Sequence, residues 1–524
     1  MFKRLVFVLL ALVFCRAEAM PPETLTIEGG QITAAVPAAG GVRVFKGLPY
    51  AAPPVGDRRW REPGPVVPWQ GVWPADRFAP NCLQPIVYRD IDPLNPAMSE
   101  DCLYLNVWTA ARPGEARPVF VWIHGGGYEA GYGGEPRHDG TVLAEKGLVV
   151  VTINYRLGVF GFLAHPELTA ESPHHASGNY AFMDMIAALR WVQKNIATFG
   201  GDPTRVTIAG ESAGSDAVSR LMASPEARGL FQRAIGESGA DFGTLKEDTL
   251  AKAEAKGKAF TDAMEHDSIA ALRKRSSAEI LALVLSPNQE WHFRPDVDGW
   301  IMPAPAREIF AAGKQNDVPL LAGWNADEGI GFENDVFKTG DTLASVLKAR
   351  FGDKLAAARG FYPARTASEE RQSRYTYAGD KVIAQPTWEW ALAQTQTGHS
   401  PVYLYRFDRA PPAPADWWGP DWIGKPLGAF HSGEIPYIFG HPDCFPSWKP
   451  TDTDRQLADR MSSAWAAFAT TGDPNGAGLP QWDRYDPSGS AMRMLFDAQS
   501  GEEPDSDLAR RRFLADSPDP DAGL

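Results

Sequence analysis

The most constraining feature of the sequence is the stretch at residues 205–214, which is RVTIAGESAG. It begins as a short apolar, β-branched run and ends in a Gly-x-Ser-x-Gly pattern centred on Ser212. A buried strand that ends in this pattern predicts a sharp turn into a helix. Because Gly210 and Gly214 have no Cβ, the strand and the helix can approach closely while the Ser212 hydroxyl stands clear of the backbone. We therefore predict a nucleophilic serine at a helix start, where free N–H groups favour a developing negative charge.

A second glycine-rich segment follows another predicted strand. Residues 118–123 are nearly all apolar, as is typical of a strand buried on both faces of a sheet, and the sequence HGGG follows at 124–127. Consecutive glycines after a strand present backbone N–H groups free of side-chain bulk, which suits the binding of an oxyanion. A flexible glycine turn is the alternative, but the serine motif downstream favours the oxyanion hole. We expect its donors to be the N–H groups of Gly126, Gly127 and Ala213.

The order of the remaining elements predicts an α/β fold. Residues 148–154 form an apolar strand and residues 182–196 have helical spacing, and both precede the strand that leads to Ser212. This strand, helix, strand order predicts a large, mostly parallel central sheet with helices on both faces. Other local expectations are a hairpin at 25–36, an ordered proline-rich loop at 44–54, strands at 103–108, 319–323 and 402–407, and a helical excursion at 245–285.

A serine nucleophile needs a base and an orienting carboxylate, and these should lie in loops after later strands. One predicted strand is followed by Asp327 and Glu328, and another by His431. The order serine, acid, histidine is the one that this kind of fold requires. In that arrangement His431 takes the proton from Ser212 and Glu328 fixes the imidazole tautomer. Asp327 stays open as a rival to Glu328, and His441 as a rival to His431, because position relative to the strands does not separate them.

Composition excludes several classes of partner. The 51 basic and 65 acidic residues give a net charge of −14, which argues against nucleic acid or an anionic membrane as the main partner. With 44% hydrophobic and 22% charged residues, the chain has enough apolar side chains for a large core. No linker rich in Gly, Ser or Pro divides residues 20–524, so we expect one catalytic domain with helical excursions over the site. Oligomeric state is not determined by these features.

The first nineteen residues are typical of a secretory signal. Lys3 and Arg4 precede an apolar run at residues 5–14, and Ala-Glu-Ala at 17–19 supplies the small residues that a signal peptidase needs. The apolar run is too short to cross a hydrocarbon layer of about 30 Å as a helix. We therefore expect cleavage after Ala19 and a secreted or periplasmic protein.

Four cysteines occur, and Cys15 would leave with the signal. In an oxidising compartment Cys82 and Cys102 are the natural pair, and closing their loop would gain about 3 kcal/mol in the chain-entropy model. Cys444 is then an unpaired structural thiol. The cysteine spacing fits no metal site, and we expect neither a metal nor a cofactor.

Further motifs are spread over nearly the whole chain. They are FKGLPYAAPP at 45–54, SEDCLYLNVW at 99–108, HGGG at 124–127, NYR at 154–156, FGGDP at 199–203, DG at 298–299, DEG at 327–329, and FH at 430–431 followed by Glu434 and PY at 436–437. Together with the serine motif they make the sequence similar to the type-B carboxylesterases, the family that includes the cholinesterases and the bacterial p-nitrobenzyl esterases.

The resemblance has definite implications. It implies an α/β-hydrolase fold and the hydrolysis of small carboxylic esters through an acyl-enzyme. It implies that Glu328 is the acid, since it matches the family's Glu-Gly, and that His431 is the base, since a glutamate follows it three residues on. It also implies a disulfide between Cys82 and Cys102. Ser238 falls where the family carries a second serine near the acid, with an expected supporting hydrogen bond.

The sequence also departs from the family. AFMDM at 181–185 replaces the more usual Gly-Leu-x-Asp-Gln, so the packing of that wall is expected to differ. Aromatic and acidic residues that follow the glycines or precede His431 suggest a roomy pocket for bulky or aromatic esters; they are Tyr128, Glu129, Tyr132, Trp417, Trp418 and Trp422. The equally weighted alternative is that the tryptophans pack a loop.

The function expected is therefore that of a secreted serine esterase. A lipase acting on glycerides is the alternative among enzymes, with an amidase less favoured, and a non-catalytic cholinesterase-like adhesion module is the alternative from another class. Adhesion relatives typically lack the working serine, whereas Ser212, Glu328 and His431 are all present here. The sequence therefore favours the enzyme.

Overall fold

A computed structural model describes residues 24–34, 41–85, 88, 91, 97–112, 114–243, 248–286, 291–418, 427–476 and 478–517. The expected signal peptide at residues 1–19 and Trp422 lie outside the described residues.

A ten-stranded sheet forms the centre of the fold. In spatial order its strands are β17 (Gly501–Pro504), β16 (Met492–Phe496), β15 (Val402–Phe407), β14 (Leu320–Asn325), β11 (Arg233–Glu237), β10 (Gly201–Glu211), β8 (Arg117–Ile123), β9 (Val149–Ile153), β7 (Tyr104–Thr109) and β3 (Arg43–Pro49). The pairings from β9 through β8 to β16 are parallel, and those of β3 with β7, β7 with β9 and β16 with β17 are antiparallel. The expectation of a large, mostly parallel sheet is confirmed.

Smaller sheets and the helices surround this sheet. The short strands are β1 (Thr24–Ile27), β2 (Gly30–Ala34), β4 (Val72–Ala75), β5 (Asn81–Cys82), β6 (Met98–Ser99), β12 (Asp248–Thr249) and β13 (Asp296–Val297). The α-helices are α1 (Thr141–Glu145), α2 (Gly158–Phe162), α3 (Pro166–Glu171), α4 (Tyr180–Asn195), α5 (Ala213–Ala223), α6 (Leu250–Ala263), α7 (Ile269–Leu272), α8 (Ser277–Val284), α9 (Ala306–Ala311), α10 (Gly329–Val336), α11 (Leu343–Phe351), α12 (Leu355–Phe361), α13 (Ala367–Gly379), α14 (Gln385–Thr397), α15 (Ile435–Ile438), α16 (Asp452–Thr471) and α17 (Leu508–Ala515).

Helices cover both faces of the central sheet. Along β8, Val119 and Val121 pack in one hydrophobic cluster with α4 and α5, whereas Phe120 and Trp122 pack in another with α1 and α16. Successive side chains of a strand point to opposite faces, so an unbroken apolar run needs a core on each side. This burial explains why β8 contains no charged residue after Arg117.

Most of the local expectations are confirmed. The strands expected at 103–108, 118–123, 148–154, 319–323 and 402–407 are β7, β8, β9, β14 and β15, and the helix expected at 182–196 is α4. The hairpin around Gly29 and Gly30 is the antiparallel pair of β1 and β2. The helical segment expected at 245–285 contains α6, α7 and α8, although residues 244–247 are not described.

The expectation for residues 44–54 was wrong in part. They were expected to form a proline-rich loop, but Arg43–Pro49 is β3, a strand with a register shift between Phe45 and Leu48. Proline is tolerated in an edge strand, which needs hydrogen bonds on one side only. Because β3 lies at the edge of the sheet and Pro49 is its last residue, the proline interrupts no ladder on a second side.

Cys82 and Cys102 form a disulfide with an S–S distance of 2.02 Å. Cys444 is a half-buried free thiol, and burial raises its pKa to about 12. A thiol with a raised pKa is a poor nucleophile, which agrees with the structural role expected of Cys444. Among the helices in the described ranges, none combines the length and the apolar character that crossing a bilayer requires.

The close packing of α5 against β8 predicts that Gly214 cannot carry a side chain. A Cβ at Gly214 would lie 2.0 Å from the carbonyl oxygen of Ile123, whereas a Cβ at Gly331 in α10 would meet nothing within 4 Å. We expect Gly214→Ala to lower the free energy of unfolding by about 2 kcal/mol or more, because backbone has to move. Gly331→Ala, the control, should leave it unchanged or raise it by up to about 1 kcal/mol. Urea-induced unfolding measures both, and equal stabilities of the two variants would contradict the account.

Candidate active site

Ser212 occupies the turn between β10 and α5. Its backbone has φ 56° and ψ −122°, a conformation that non-glycine residues rarely adopt. The Ser212 N–H donates to the carbonyl of Glu237 at 2.8 Å, which ties the turn to the neighbouring strand β11. A Cβ at Gly210 would lie 2.5 Å from the carbonyl carbon of Gly214. The expected sharp turn is present, and the glycines are needed at both of the positions that the sequence indicated.

The glycine loop after β8 lies against this turn. A Cβ at Gly125 would lie 2.7 Å from the carbonyl oxygen of Glu211 and 3.0 Å from the Cβ of Ser212. Gly126 and Gly127 have φ values of 97° and 63°, which favour glycine. The loop therefore brings its backbone next to Ser212 in a conformation that other residues would resist.

Hydrogen bonds fix the direction of the two peptide groups in the loop. The carbonyl of Gly126 accepts from the N–H groups of Glu129 at 3.0 Å and Ala130 at 2.9 Å. The carbonyl of Gly125 lies 2.8 Å from Nδ1 of His124, whose pKa is lowered to about 4 by burial, so the imidazole is neutral. In a trans peptide the N–H points opposite to the C=O, so the N–H groups of Gly126 and Gly127 are held facing away from these partners.

Ala213 provides a third N–H group near Ser212. It belongs to the first turn of α5 and has no acceptor within the helix.

Glu328 and His431 are in direct contact. Oε2 of Glu328 lies 2.6 Å from Nδ1 of His431, and the two residues lie in the segments that follow two neighbouring strands, β14 and β15. Asn325, the last residue of β14, donates its N–H to Oε1 of Glu328 at 2.7 Å and its side-chain amide to the carbonyl of Phe430 at 2.8 Å. One buried residue, Asn325, thus joins the loop of Glu328 to the loop of His431.

The two rival residues lie elsewhere. Asp327 accepts the N–H of Ala429 at 2.9 Å and so supports the segment before His431. Nε2 of His441 lies 3.6 Å from Oδ1 of Asp139. The structure therefore brings together Glu328 and His431, and it gives Asp327 and His441 other contacts.

The second ring nitrogen of His431 faces the residue before the serine. Nε2 lies 3.2 Å from Oε1 of Glu211, with the geometry of an ion pair rather than of an aligned hydrogen bond. Within the described ranges no hydrogen bond joins the Ser212 hydroxyl to His431. The imidazole is thus at the elbow, but in this conformation its Nε2 is directed to Glu211.

Buried carboxylates dominate the electrostatics around His431. Burial alone would lower the pKa of His431, but Glu211, Glu328 and Glu434 outweigh it and raise the pKa to about 10. Burial raises the pKa of Glu211 well above its usual range, and His431 opposes that increase. Burial and the charge of Glu328 raise the pKa of Glu434 to about 7. The site therefore stabilises a positive charge on the imidazole.

The side-chain hydrogen bond of Ser238 goes to Glu434, the glutamate that follows His431 by three residues. The N–H of Ser238 donates to the carbonyl of Gly323 at 2.8 Å, and its hydroxyl donates to Oε1 of Glu434 at 3.3 Å. Glu434 also accepts from the side chain of Asn325. Ser238 thus acts on the acidic neighbour of His431 and not directly on Glu328.

The aromatic residues near the site are largely occupied by packing. Trp417 packs on Phe445 and Trp448 with ring centroids 4.9 and 5.4 Å away, and Trp418 packs on Phe430 at 5.6 Å. Tyr128 and Tyr132 are buried. Phe332 presents its ring to His431, with centroids 4.9 Å apart and planes at 70°. Among the aromatic residues that the structure describes, Phe332 contacts the imidazole ring, and the sequence did not single it out.

The structure adds residues that the sequence analysis missed. Asn325 is a polar residue at the end of the apolar strand β14, and this position is the only feature of the sequence that could have indicated its role. The role of Glu211 could not be read from the sequence, because its contact with His431 joins residues 220 positions apart. Among the described residues, no group of three His, Cys, Asp or Glu side chains is arranged to hold a metal ion.

Comparison with protein families gives one match over nearly the whole chain. The model of the carboxylesterase family matches residues 22–507. The chain is 37% identical over 479 residues to a fumonisin B1 esterase of Sphingopyxis macrogoltabida, covering 88% of this chain and 85% of that protein. It is 35% identical over 496 residues to a para-nitrobenzyl esterase of Bacillus subtilis, covering 90% and 95%.

Solved structures agree with this match. A para-nitrobenzyl esterase structure superposes with a TM-score of 0.79 at 33% identity, covering 94% of this chain and 100% of the other. A carboxylesterase of Geobacillus stearothermophilus superposes with a TM-score of 0.78 at 33% identity, covering 94% and 99%. The α/β-hydrolase fold implied by the sequence resemblance is confirmed.

The position of Glu211 predicts a measurable effect on His431. Because the Glu211 carboxylate stabilises the imidazolium, Glu211→Gln should lower the pKa of His431 from about 10. Titration of isotopically labelled histidines by NMR measures this pKa. Glu308→Gln, at an exposed position of α9, is the control and should leave it unchanged. An unaltered His431 titration in Glu211→Gln would contradict the electrostatic assignment.

Proposed function

The chain belongs to the carboxylesterase family and hydrolyses carboxylic esters, and on that premise we propose that Ser212, His431 and Glu328 carry out the reaction. The hydrogen bond of 2.6 Å between Glu328 and His431, at the end of the sheet where Ser212 stands, is the observation that carries this assignment. It provides a base whose tautomer is fixed by a buried carboxylate.

In the first half of the proposed reaction, the Ser212 oxygen attacks the ester carbonyl. Its proton passes to Nε2 of His431, and Glu328 stabilises the resulting imidazolium. The N–H groups of Gly126, Gly127 and Ala213 bind the oxyanion of the tetrahedral intermediate. His431 then gives the proton to the leaving alcohol, and an acyl group remains on Ser212.

In the second half, water attacks the acyl-enzyme. His431 takes a proton from the water, and the same three N–H groups bind the second oxyanion. Collapse of the intermediate returns the proton to Ser212 and releases the acid. The pairing of Nε2 with Glu211, which favours the protonated imidazole, has to be broken before the reaction begins. Nε2 must then face Ser212 without a proton, since a protonated ring nitrogen cannot act as a base.

We also propose that the pocket accepts bulky or aromatic esters. Relatives named para-nitrobenzyl esterase and phenmedipham hydrolase, the latter 34% identical over 498 residues, support this proposal. So does the ring of Phe332 beside His431. Aryl esters of bulky acids should be hydrolysed at least as efficiently as ethyl acetate in kcat/KM; a strong preference for short acyl chains on small alcohols would overturn the proposal.

We further propose that the protein is exported. The basic residues, apolar run and Ala-Glu-Ala pattern of residues 1–19 support export, as does a disulfide of the kind that persists in oxidising compartments. The exported chain should begin at Met20, which N-terminal sequencing of the purified protein tests.

Substitution of the triad and its rivals tests the catalytic assignment. Ser212→Ala and His431→Ala should each reduce kcat by about 10⁴-fold or more, because either change removes the activated nucleophile. Ser212→Ala should also abolish covalent labelling by an organophosphate. Asp327→Asn and His441→Ala, the matched controls, should keep kcat within about tenfold of the wild type. Full labelling of Ser212→Ala, or loss of activity in His441→Ala with retention in His431→Ala, would refute the assignment.

A further inference from the structure

His292 and Arg294 are two basic residues that contact Glu129, close to the glycine loop. Phe293 is buried against Phe260, with ring centroids 5.3 Å apart. On either side of it, His292 and Arg294 approach Glu129, which follows the glycine loop by two residues. These contacts place a cluster of His292, Arg294 and Glu129 next to the expected oxyanion hole.

Arg294 contacts the residue that offers an oxyanion donor. Its Nη1 donates to the carbonyl of Gly127, and the N–H of the same glycine is expected to bind the substrate carbonyl oxygen. Adding standard backbone and hydrogen-bond lengths puts the guanidinium roughly 6–9 Å from the reacting carbon. A carboxylate three to five bonds from an ester carbonyl carbon spans this distance once its own hydrogen bond to the guanidinium is included.

In the described part of the chain, the guanidinium of Arg294 has one carboxylate partner, Glu129, which also contacts His292. One oxygen of Glu129 lies 3.2 Å from Nδ1 of His292 and 3.3 Å from Nη2 of Arg294, so a single carboxylate is shared by two basic side chains. The side chains of Arg294 and Glu129 are 22% and 19% exposed, and that of His292 is 57% exposed. The cluster is therefore open to a ligand from solvent.

The guanidinium keeps donors for such a ligand. It has five N–H groups in a planar fork that matches a carboxylate, and its contacts within the described residues are Gly127 and Glu129. A lysine at this position would hold the glycine loop equally well but would not offer the fork.

We propose that Arg294, assisted by His292, selects esters that carry a second, free carboxylate, such as monoesters of C4 to C6 dicarboxylic acids. This inference rests on the proposed function. Arg294 binds the free carboxylate while the ester carbonyl lies in the oxyanion hole, and Glu129 competes with the substrate for the guanidinium. The cluster is then a specificity site for anionic esters next to the catalytic residues.

The test compares esters that differ in one charge. In the first pair, monoethyl glutarate is compared with its neutral isostere ethyl 5-oxohexanoate, and the carboxylate lies on the acyl side of the ester. In the second pair, 4-acetoxybutanoate is compared with its neutral isostere 5-acetoxypentan-2-one, and the carboxylate lies on the alcohol side. The quantity measured is the ratio of kcat/KM for the anionic ester to that for the neutral ester. Taking a ratio cancels any general effect of a variant on the glycine loop.

In at least one pair, Arg294→Gln should lower this ratio by about tenfold or more, because a charge-assisted pair is lost. Arg294→Lys should lower it less. Glu129→Gln should raise it, since the competing carboxylate is gone. Arg190→Gln, which removes an exposed arginine of α4 that pairs with Glu226, is the matched control and should leave it unchanged.

The outcomes separate this inference from the proposed function. If Arg294→Gln slows both esters of each pair equally, Arg294 only positions the glycine loop and the inference is overturned. In that case the neutral esters are still hydrolysed by the wild type and not by Ser212→Ala, so the proposed function stands. If the neutral esters are hydrolysed equally by the wild type and by Ser212→Ala, the proposed function fails and the inference fails with it.

Discussion

The hydrogen bond between Glu328 and His431 is the interaction on which the rest of the site depends. The two residues are 103 positions apart and meet because β14 and β15 are parallel neighbours whose carboxyl ends lie at the same edge of the sheet. Asn325 fixes both loops at that edge. The parallel pairing of β14 and β15 thus determines where Glu328 and His431 lie relative to the turn at Ser212.

Elements with a strong local signal were predictable. The strained turn at Ser212 was predictable because it leaves no space for a side chain at Gly210 or Gly214, and the sequence has glycine at both positions. Strand β8 was predictable because its unbroken apolar run is typical of a strand that is buried on both faces. The edge strand β3 was mistaken for a loop because its proline suggested an interruption, whereas the edge position made that proline harmless. Helix α16 was not anticipated, although its capping box at Thr451 and Asp454 is a local signal.

Contacts between distant segments were not predictable in the same way. The sequence offered Glu328 and Asp327 as equal candidates by position, and only the family resemblance favoured the first. In the structure Glu328 contacts His431, whereas Asp327 contacts Ala429. The pairing of Glu211 with His431 and the contact of Arg294 with Gly127 depend on how loops converge, which no periodicity encodes. These contacts give the site its distinctive charge: one imidazole lies among buried carboxylates on one side, and a guanidinium lies beside the glycine loop on the other.

The most direct measurement is a crystal structure of the protein after reaction with an alkyl phosphonate. We expect a covalent bond from phosphorus to Oγ of Ser212, with the phosphoryl oxygen within hydrogen-bond distance of the N–H groups of Gly126, Gly127 and Ala213. We also expect that Nε2 of His431 has moved from Glu211 to the Ser212 oxygen. An adduct on another side chain, or one on Ser212 with its phosphoryl oxygen turned away from the glycine loop, would contradict the account.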